Sequence, residues 1–262
     1  MFTPALPIGG LSGWRLLQNT YAAQREAFDA APQLQRETDH FKEKIGSIKT
    51  ADDLVADRQL LIVALGAFGL QDDLNNKYFI KKMLDEGTRA TDALANRFTD
   101  TRYREFSEAF GFGPLEITQT AKPGFADSIV ERYLTNSFEV AAGNVDETMR
   151  FALYLERTMP DVSGADSSEA AKWFTIMGQP ALRSAFETVL GLPSSLSQID
   201  IDQQLTVFQD RAQSLFGSSD PAQFADPKAL DDLVTSYVAR AQVAAATSSV
   251  TSQSIALQLL GG

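Results

Sequence analysis

The sequence predicts an all-α protein built as a multi-helix bundle, and three observations carry that prediction. Apolar residues recur at intervals of three and four, as in Leu230, Leu233, Val234, Tyr237, Val238 and Ala241, which line one stripe of a helix. Helix starts are marked by an oxygen acceptor with a carboxylate three residues on, at Thr50 and Asp53, Asn144 and Glu147, Asp166 and Glu169. Helix stops are marked by glycine, alone or beside proline, at Gly69, Gly87, Gly111 to Pro114, Gly143, Gly191 to Pro193 and Gly217. The alternation by two that marks a strand is hardly present.

Taken in order, the first helix is expected near residues 12–31, where Trp14, Leu17, Tyr21 and Phe28 fall at heptad-compatible spacing with Gln24 in the seam. That stripe can pack on a partner helix or on the protein's own core. A second helix is expected near 33–46. The third, near 51–68, starts at the Thr50 cap and carries Leu60 to Leu70, a run apolar all round; such a helix belongs at the centre of a core. Helices near 72–86, 90–98 and 101–110 follow, with Gly87 and the Gly111 stop as limits. Another near 124–142 ends at Gly143, and those near 145–158 and 167–177 begin at the Asn144 and Asp166 caps. The stretches near 180–190 and 199–216 run to Gly191 and Gly217. The last helix, near 227–247, follows Asp226-Pro227, where proline takes a first helical position whose N–H has no partner to lose; Asp220-Pro221 has the same form. Beyond it, Ala244 to Ser254 is rich in Ala, Ser and Thr, and Ile255-Ala-Leu-Gln-Leu-Leu260 forms an apolar tail.

A shift of 122 residues lays Leu60, Gly69, Leu70 and Leu74 on Leu182, Gly191, Leu192 and Leu196, and Phe98-x-Asp100 meets Phe224-x-Asp226 at a shift of 126. Either two related helical units arose by internal duplication, or two Leu-rich helical stretches coincide by chance. The polar stretch from Pro160 to Ser168 then suggests a first unit over 1–160, a second over 161–250 and a flexible apolar tail over 251–262. A boundary between Gly113 and Gly124 is the alternative.

Composition excludes several classes of function. The 262 residues carry a formal net charge of -11, and the pI near 4.6 argues against nucleic acid or anionic membrane, whose phosphates require clustered Lys and Arg. There is no Cys, hence no disulfide, thiolate metal site or cysteine nucleophile. No cleavable secretory signal is expected, because the start lacks a basic region and Pro4, Pro7, Gly9 and Gly10 interrupt any apolar one. The longest apolar run is too short for a membrane span, so no membrane insertion is expected and the partners should be proteins.

The search for chemistry yields little. Glu37-x-x-His40 has the spacing of a di-iron ligand pair, but His40 is the single histidine, so a second such pair cannot be formed and a solvated helix face is the other reading. Asp72-Asp73-Leu74-Asn75-Asn76 opens like a calcium loop, yet Tyr78 and Leu84 stand where that loop needs Gly and Glu; a helix cap is the simpler expectation. Asp52-Asp53, Asp200/Asp202 and Asp231-Asp232 sit at helix starts, where negative charge complements the helix dipole. No phosphate loop, dinucleotide fingerprint or nucleophile elbow occurs. No cofactor, no metal and no enzymatic activity are expected; the competing reading is a helical ligand-binding or hydrolytic protein with a carboxylate-lined pocket.

Both ends are free of charge. From Met1 to Trp14, and again after Arg240, there is no Asp, Glu, Lys or Arg. On an acidic body such neutral, partly apolar segments are candidates for burial against another molecule, which nominates Trp14, Leu17 and Tyr21 at the front and Ile255, Leu257, Leu259 and Leu260 at the back as partner-binding residues. The string Thr50-Ala-Asp-Asp-Leu-Val-Ala-Asp-Arg-Gln-Leu-Leu-Ile-Val-Ala-Leu-Gly-Ala-Phe-Gly-Leu-Gln-Asp-Asp-Leu-Asn-Asn-Lys-Tyr-Phe-Ile80, with Leu94-Ala-Asn-Arg-Phe98 and Arg102-Tyr-Arg-Glu-Phe106 after it, resembles an alphaproteobacterial family of unknown function whose members often lie among flagellar genes. The resemblance spans roughly Leu11 to Ala244 and implies a flagellum-associated protein with flagellar or other assembly proteins as partners, in the cytoplasm or in the flagellum. It implies no mechanism and no site residues.

Overall fold

The computed structural model describes the backbone of residues 3–260 and the side chains of residues 3–247. Among the described residues there are twelve α-helices and no strand, the all-α architecture that the helix spacing predicts. In chain order they are α1 (Gly10–Asp29), α2 (Pro32–Lys44), α3 (Ala51–Ala56), α4 (Arg58–Ala67), α5 (Lys77–Glu86) and α6 (Arg102–Phe110). Then come α7 (Phe125–Gly143), α8 (Glu147–Gly164), α9 (Glu169–Met177), α10 (Pro180–Leu190), α11 (Ile201–Phe216) and α12 (Pro227–Leu260). Short 3-10 turns at Gln71–Asn75, Leu94–Arg97, Ser194–Gln198 and Pro221–Ala225 link several of them.

The same order of elements runs twice. In α1–α6 and again in α7–α12, two long helices precede a short one, and then helix, 3-10 turn, helix, 3-10 turn and helix follow; the first half has in addition a 3-10 turn, Ile45–Ser47, between α2 and α3. Packing partners recur with the order: α2 on α4 as α8 on α10, α3 on α4 as α9 on α10, and α3 on α5 as α9 on α11. The helix stops that led the sequence comparison match atom for atom. Gly69 (φ 69°) and Gly191 (φ 65°) both hold the left-handed conformation that suits glycine. The next residue's N–H returns to the carbonyl five back, Leu70 to Leu65 at 2.9 Å and Leu192 to Glu187 at 2.8 Å.

Two compact units divide the chain, one comprising Tyr21–Ala141 with the first residues up to Pro4, the other Ala5–Thr20 with everything from Ala142. This differs from the boundary expected near residue 160. Pro160 lies within α8 instead of in a linker, and α1 is shared, its residues 10–20 belonging to the second unit and 21–29 to the first. The first unit therefore combines the second half of α1 and α2–α6 with most of α7, and the second combines the first half of α1 with α8–α12.

In the first unit the run from Leu60 to Leu70 forms the centre of the core as expected, with Leu60, Leu61, Val63, Leu65 and Leu70 buried together with Phe41, Ile80, Phe106 and Phe110. The single helix expected over 51–68 is broken at Asp57, whose extended backbone ends α3 while its carboxylate accepts from Gln59 N at 2.9 Å and Leu60 N at 3.2 Å to cap α4. In the second unit Trp173 packs on Phe186 (5.4 Å) and Phe208 (5.6 Å), and Phe186 on Phe224 (5.9 Å). The caps expected at Asn144 and Asp166 are supplied two residues later, by Asp146 to Thr148 N at 2.9 Å and by Ser168 to Ala171 N at 3.2 Å. The tail expected to be flexible continues α12 to Leu260.

Candidate functional site

The two charge-free segments start from one place in the second unit. At the front, Gly10 opens α1 with φ 64°, and a Cβ there would overlap the side chain of Gln242 on α12. Its neighbour Gly9 lies against Asp146: a Cβ on Gly9 would stand 3.2 Å from the carboxylate. Asp146 in turn caps α8; burial, and after it the charges of Glu147 and Asp146, push the Tyr237 phenol of α12 upward from its usual range. The edge of Phe151 on Tyr237, 6.3 Å between centroids, completes the contact between the start of α8 and α12. Residues 8–10, 145–147 and 237–243 thus form a common base.

Three apolar side chains are exposed at that base: Ile8 at 50%, Val145 at 43% and Val243 at 66%. Each is the chain neighbour of a residue that makes the contacts just described. From Gln242 to Thr247 every described residue of α12 is exposed, so the helix leaves the globular part of its unit at about the point where the last charge, Arg240, has passed. The exposed apolar side chains lie beside the charged Asp146 and Glu147, and their chemistry is that of apolar burial, the basis of a binding surface.

The residues nominated from sequence meet different fates. Trp14 and Leu17 are 1% and 0% exposed and belong to the second unit's own core, while Tyr21 belongs to the first unit, where its ring edge meets Phe138 at 5.3 Å and its hydroxyl accepts from Arg25 at 3.3 Å. The front stripe is therefore corrected from a partner-facing seam to internal packing, because burial against the chain's own helices is available to it. The side chains of Ile255, Leu257, Leu259 and Leu260 lie outside the described residues. Ile8, Val145 and Val243 were missed. A signal existed for Val145: it precedes the α8 cap, where an apolar residue packs on one at the fourth helical position, and that position is Arg150, so no apolar partner is offered.

The acidic and histidine motifs are engaged within the first unit. His40 Nε2 is 2.8 Å from Asp57 Oδ2, and Glu37 accepts from Tyr133 Oη at 2.5 Å. Asp73 accepts from Tyr103 Oη at 2.7 Å, so the expected cap of α5 is replaced by a tie between the 3-10 turn and α6. Among the described residues no group of three or more His, Asp or Glu could hold a metal ion, and no helix is long and apolar enough to cross a membrane.

Comparison with known proteins places these observations. The family described as "Protein of unknown function (DUF1217)" matches residues 67–230. The X-ray crystal structure of a protein from Agrobacterium tumefaciens is similar at 26% identity, with a TM-score of 0.72 over 91% of this chain and 97% of that one. No curated protein matches the chain.

Proposed function

We propose, for a chain that belongs to the DUF1217 family of proteins of unknown function, a non-enzymatic assembly role in which its charge-free ends dock on other proteins. The observation that carries the reading is the convergence of both neutral segments on one base with Ile8, Val145 and Val243 exposed around it. Solvated apolar side chains at the root of a stretch of helix that is charge-free beyond Arg240 favour association, and that stretch lacks the repulsion that an acidic body of net charge -11 otherwise presents to another acidic protein. The resemblance to proteins encoded among flagellar genes points this role toward the flagellum, with other flagellar or assembly proteins as partners.

Removing Ala245 to Gly262 tests the reading. The shortened chain should keep the helical signal of the globular part and lose both swimming motility and co-purification of flagellar proteins. Normal motility with the shortened chain would count decisively against a flagellar assembly role.

A further inference from the structure

We infer that the end of α10 in the second unit is a docking point for a carboxylate side chain of another protein, held between Arg211 and Arg240. Both α11 and α12 pack on α10, and each sends one exposed arginine to the glycine that ends it. A Cβ placed on Gly191 would stand 3.5 Å from a terminal guanidinium nitrogen of Arg211 and 3.5 Å from one of Arg240, so the two forks meet over a single point. Arg211 Nε donates to Leu190 O at 3.2 Å, and among the described residues neither arginine has a carboxylate partner. Glu187, the acid in the last turn of α10, is taken by Arg183 at 2.8 Å. Against two positive charges the carbonyls ending α10 offer only about half a unit of negative charge. The surplus favours an anion between the forks.

The first unit shows what completes such a stop. Its Gly69 has the same left-handed turn, and one arginine lies over it: Arg102 donates to Gly69 O at 2.5 Å and to Asp100, from Nε at 3.0 Å and from a terminal nitrogen at 2.6 Å. A carboxylate of the chain itself closes that fork. In the second half the Phe-x-Asp match pairs Asp100 with Asp226, which accepts from Ala229 N at 2.9 Å to cap α12 and stands about 20 Å along that helix from Arg240. Lys228, at the position matching Arg102, is paired with Asp232 at 2.6 Å. The second unit thus has the cations of this arrangement while its matching acid is engaged elsewhere. A planar carboxylate accepts two parallel N–H bonds from a guanidinium fork. Leu215, one turn beyond Arg211 on α11 and 42% exposed, gives the apolar neighbours of that carboxylate a surface to cover, which favours an acidic residue within a protein segment over a free anion. This contact goes beyond the docking of the charge-free ends and does not require it.

The test uses the full-length, isotope-labelled protein and two peptides, acetyl-Ala-Leu-Glu-Leu-Ala-amide and its glutamine counterpart. The backbone amide signals of Gly191 and Leu192 and the side-chain Nε–H signals of Arg211 and Arg240 should shift saturably with the glutamate peptide. The glutamine peptide should bind about ten-fold more weakly, the difference a charge-assisted pair makes. Arg240→Gln leaves the bond from Arg211 to α10 in place, so it should keep the thermal midpoint and lose the preference for glutamate. No saturable shift, equal affinity for the two peptides, or a preference that survives Arg240→Gln would overturn the inference. Inorganic phosphate is the third probe: saturation of the same signals at lower concentrations than the glutamate peptide requires would show a phosphoryl site and overturn the carboxylate assignment.

Discussion

The two tryptophans are equally buried and differently satisfied. Trp173 Nε1 donates to Ser219 O at 2.8 Å, whereas Trp14 Nε1 is buried with no hydrogen-bond partner among the described residues. A buried donor left unpaired carries a desolvation penalty, so Phe at position 14 loses part of the ring and also removes that penalty. Urea unfolding should therefore show Trp173→Phe more destabilising than Trp14→Phe by about 1 kcal/mol or more, the net worth of a hydrogen bond; equal losses would show that Trp14 has found a partner. Asp57 makes a second residue-level case. Burial works to raise its carboxyl, but His40 and the N–H groups of Leu60 and Gln59 outweigh it, and the group sits below its ordinary value. A depressed native value stabilises the fold above the unfolded pKa of about 4, and that contribution is lost as pH falls through the native value. Asp57→Asn keeps a capping oxygen and cannot titrate, so the gap in thermal midpoint between it and the native protein should be largest near neutral pH and shrink on acidification. A gap constant from pH 7 to pH 3 would contradict the assignment.

At the scale of elements, the two Gly-Leu stops are the firmest link between sequence and structure. Leu70 is 1% exposed behind Gly69, and Leu70→Ala should destabilise by about 2–5 kcal/mol, with a loss below about 1 kcal/mol showing that the site collapses. Gly191→Ala forces a side chain into the left-handed region and should lose about 1–2 kcal/mol by the same unfolding measurement. These stops were legible because the signal is local: one residue, one dihedral region, one returning hydrogen bond. The break at Asp57 was not, since Asp is tolerated inside a helix and only its use as a cap for α4 shows that the chain turns there. Pro160 misled for the opposite reason, as proline is a strong local breaker that α8 nevertheless carries four residues before its end. The thirteen or so residues added to α12 beyond position 247 were hidden by their Ser and Thr content, which reads as loop.

For the whole molecule, the repeated order of elements shows why the boundary could not be read from composition. Residues 5–20 belong to the unit whose other members begin at Ala142, a pairing across more than a hundred residues that no local signal records. The same pairing explains the fate of the front stripe: Trp14 and Leu17 read as a docking seam because their internal partners are remote in sequence. What composition did show was the neutrality of both ends, and the structure adds that they meet beside Gly10 and Gln242. The most direct test leaves the length of the chain unchanged and places charge at that base. Cells whose sole copy carries Ile8→Asp, Val145→Asp and Val243→Asp, three exposed positions, should contain the folded protein at its normal level and fail to swim. Swimming at the native rate would contradict the docking role of the converged ends.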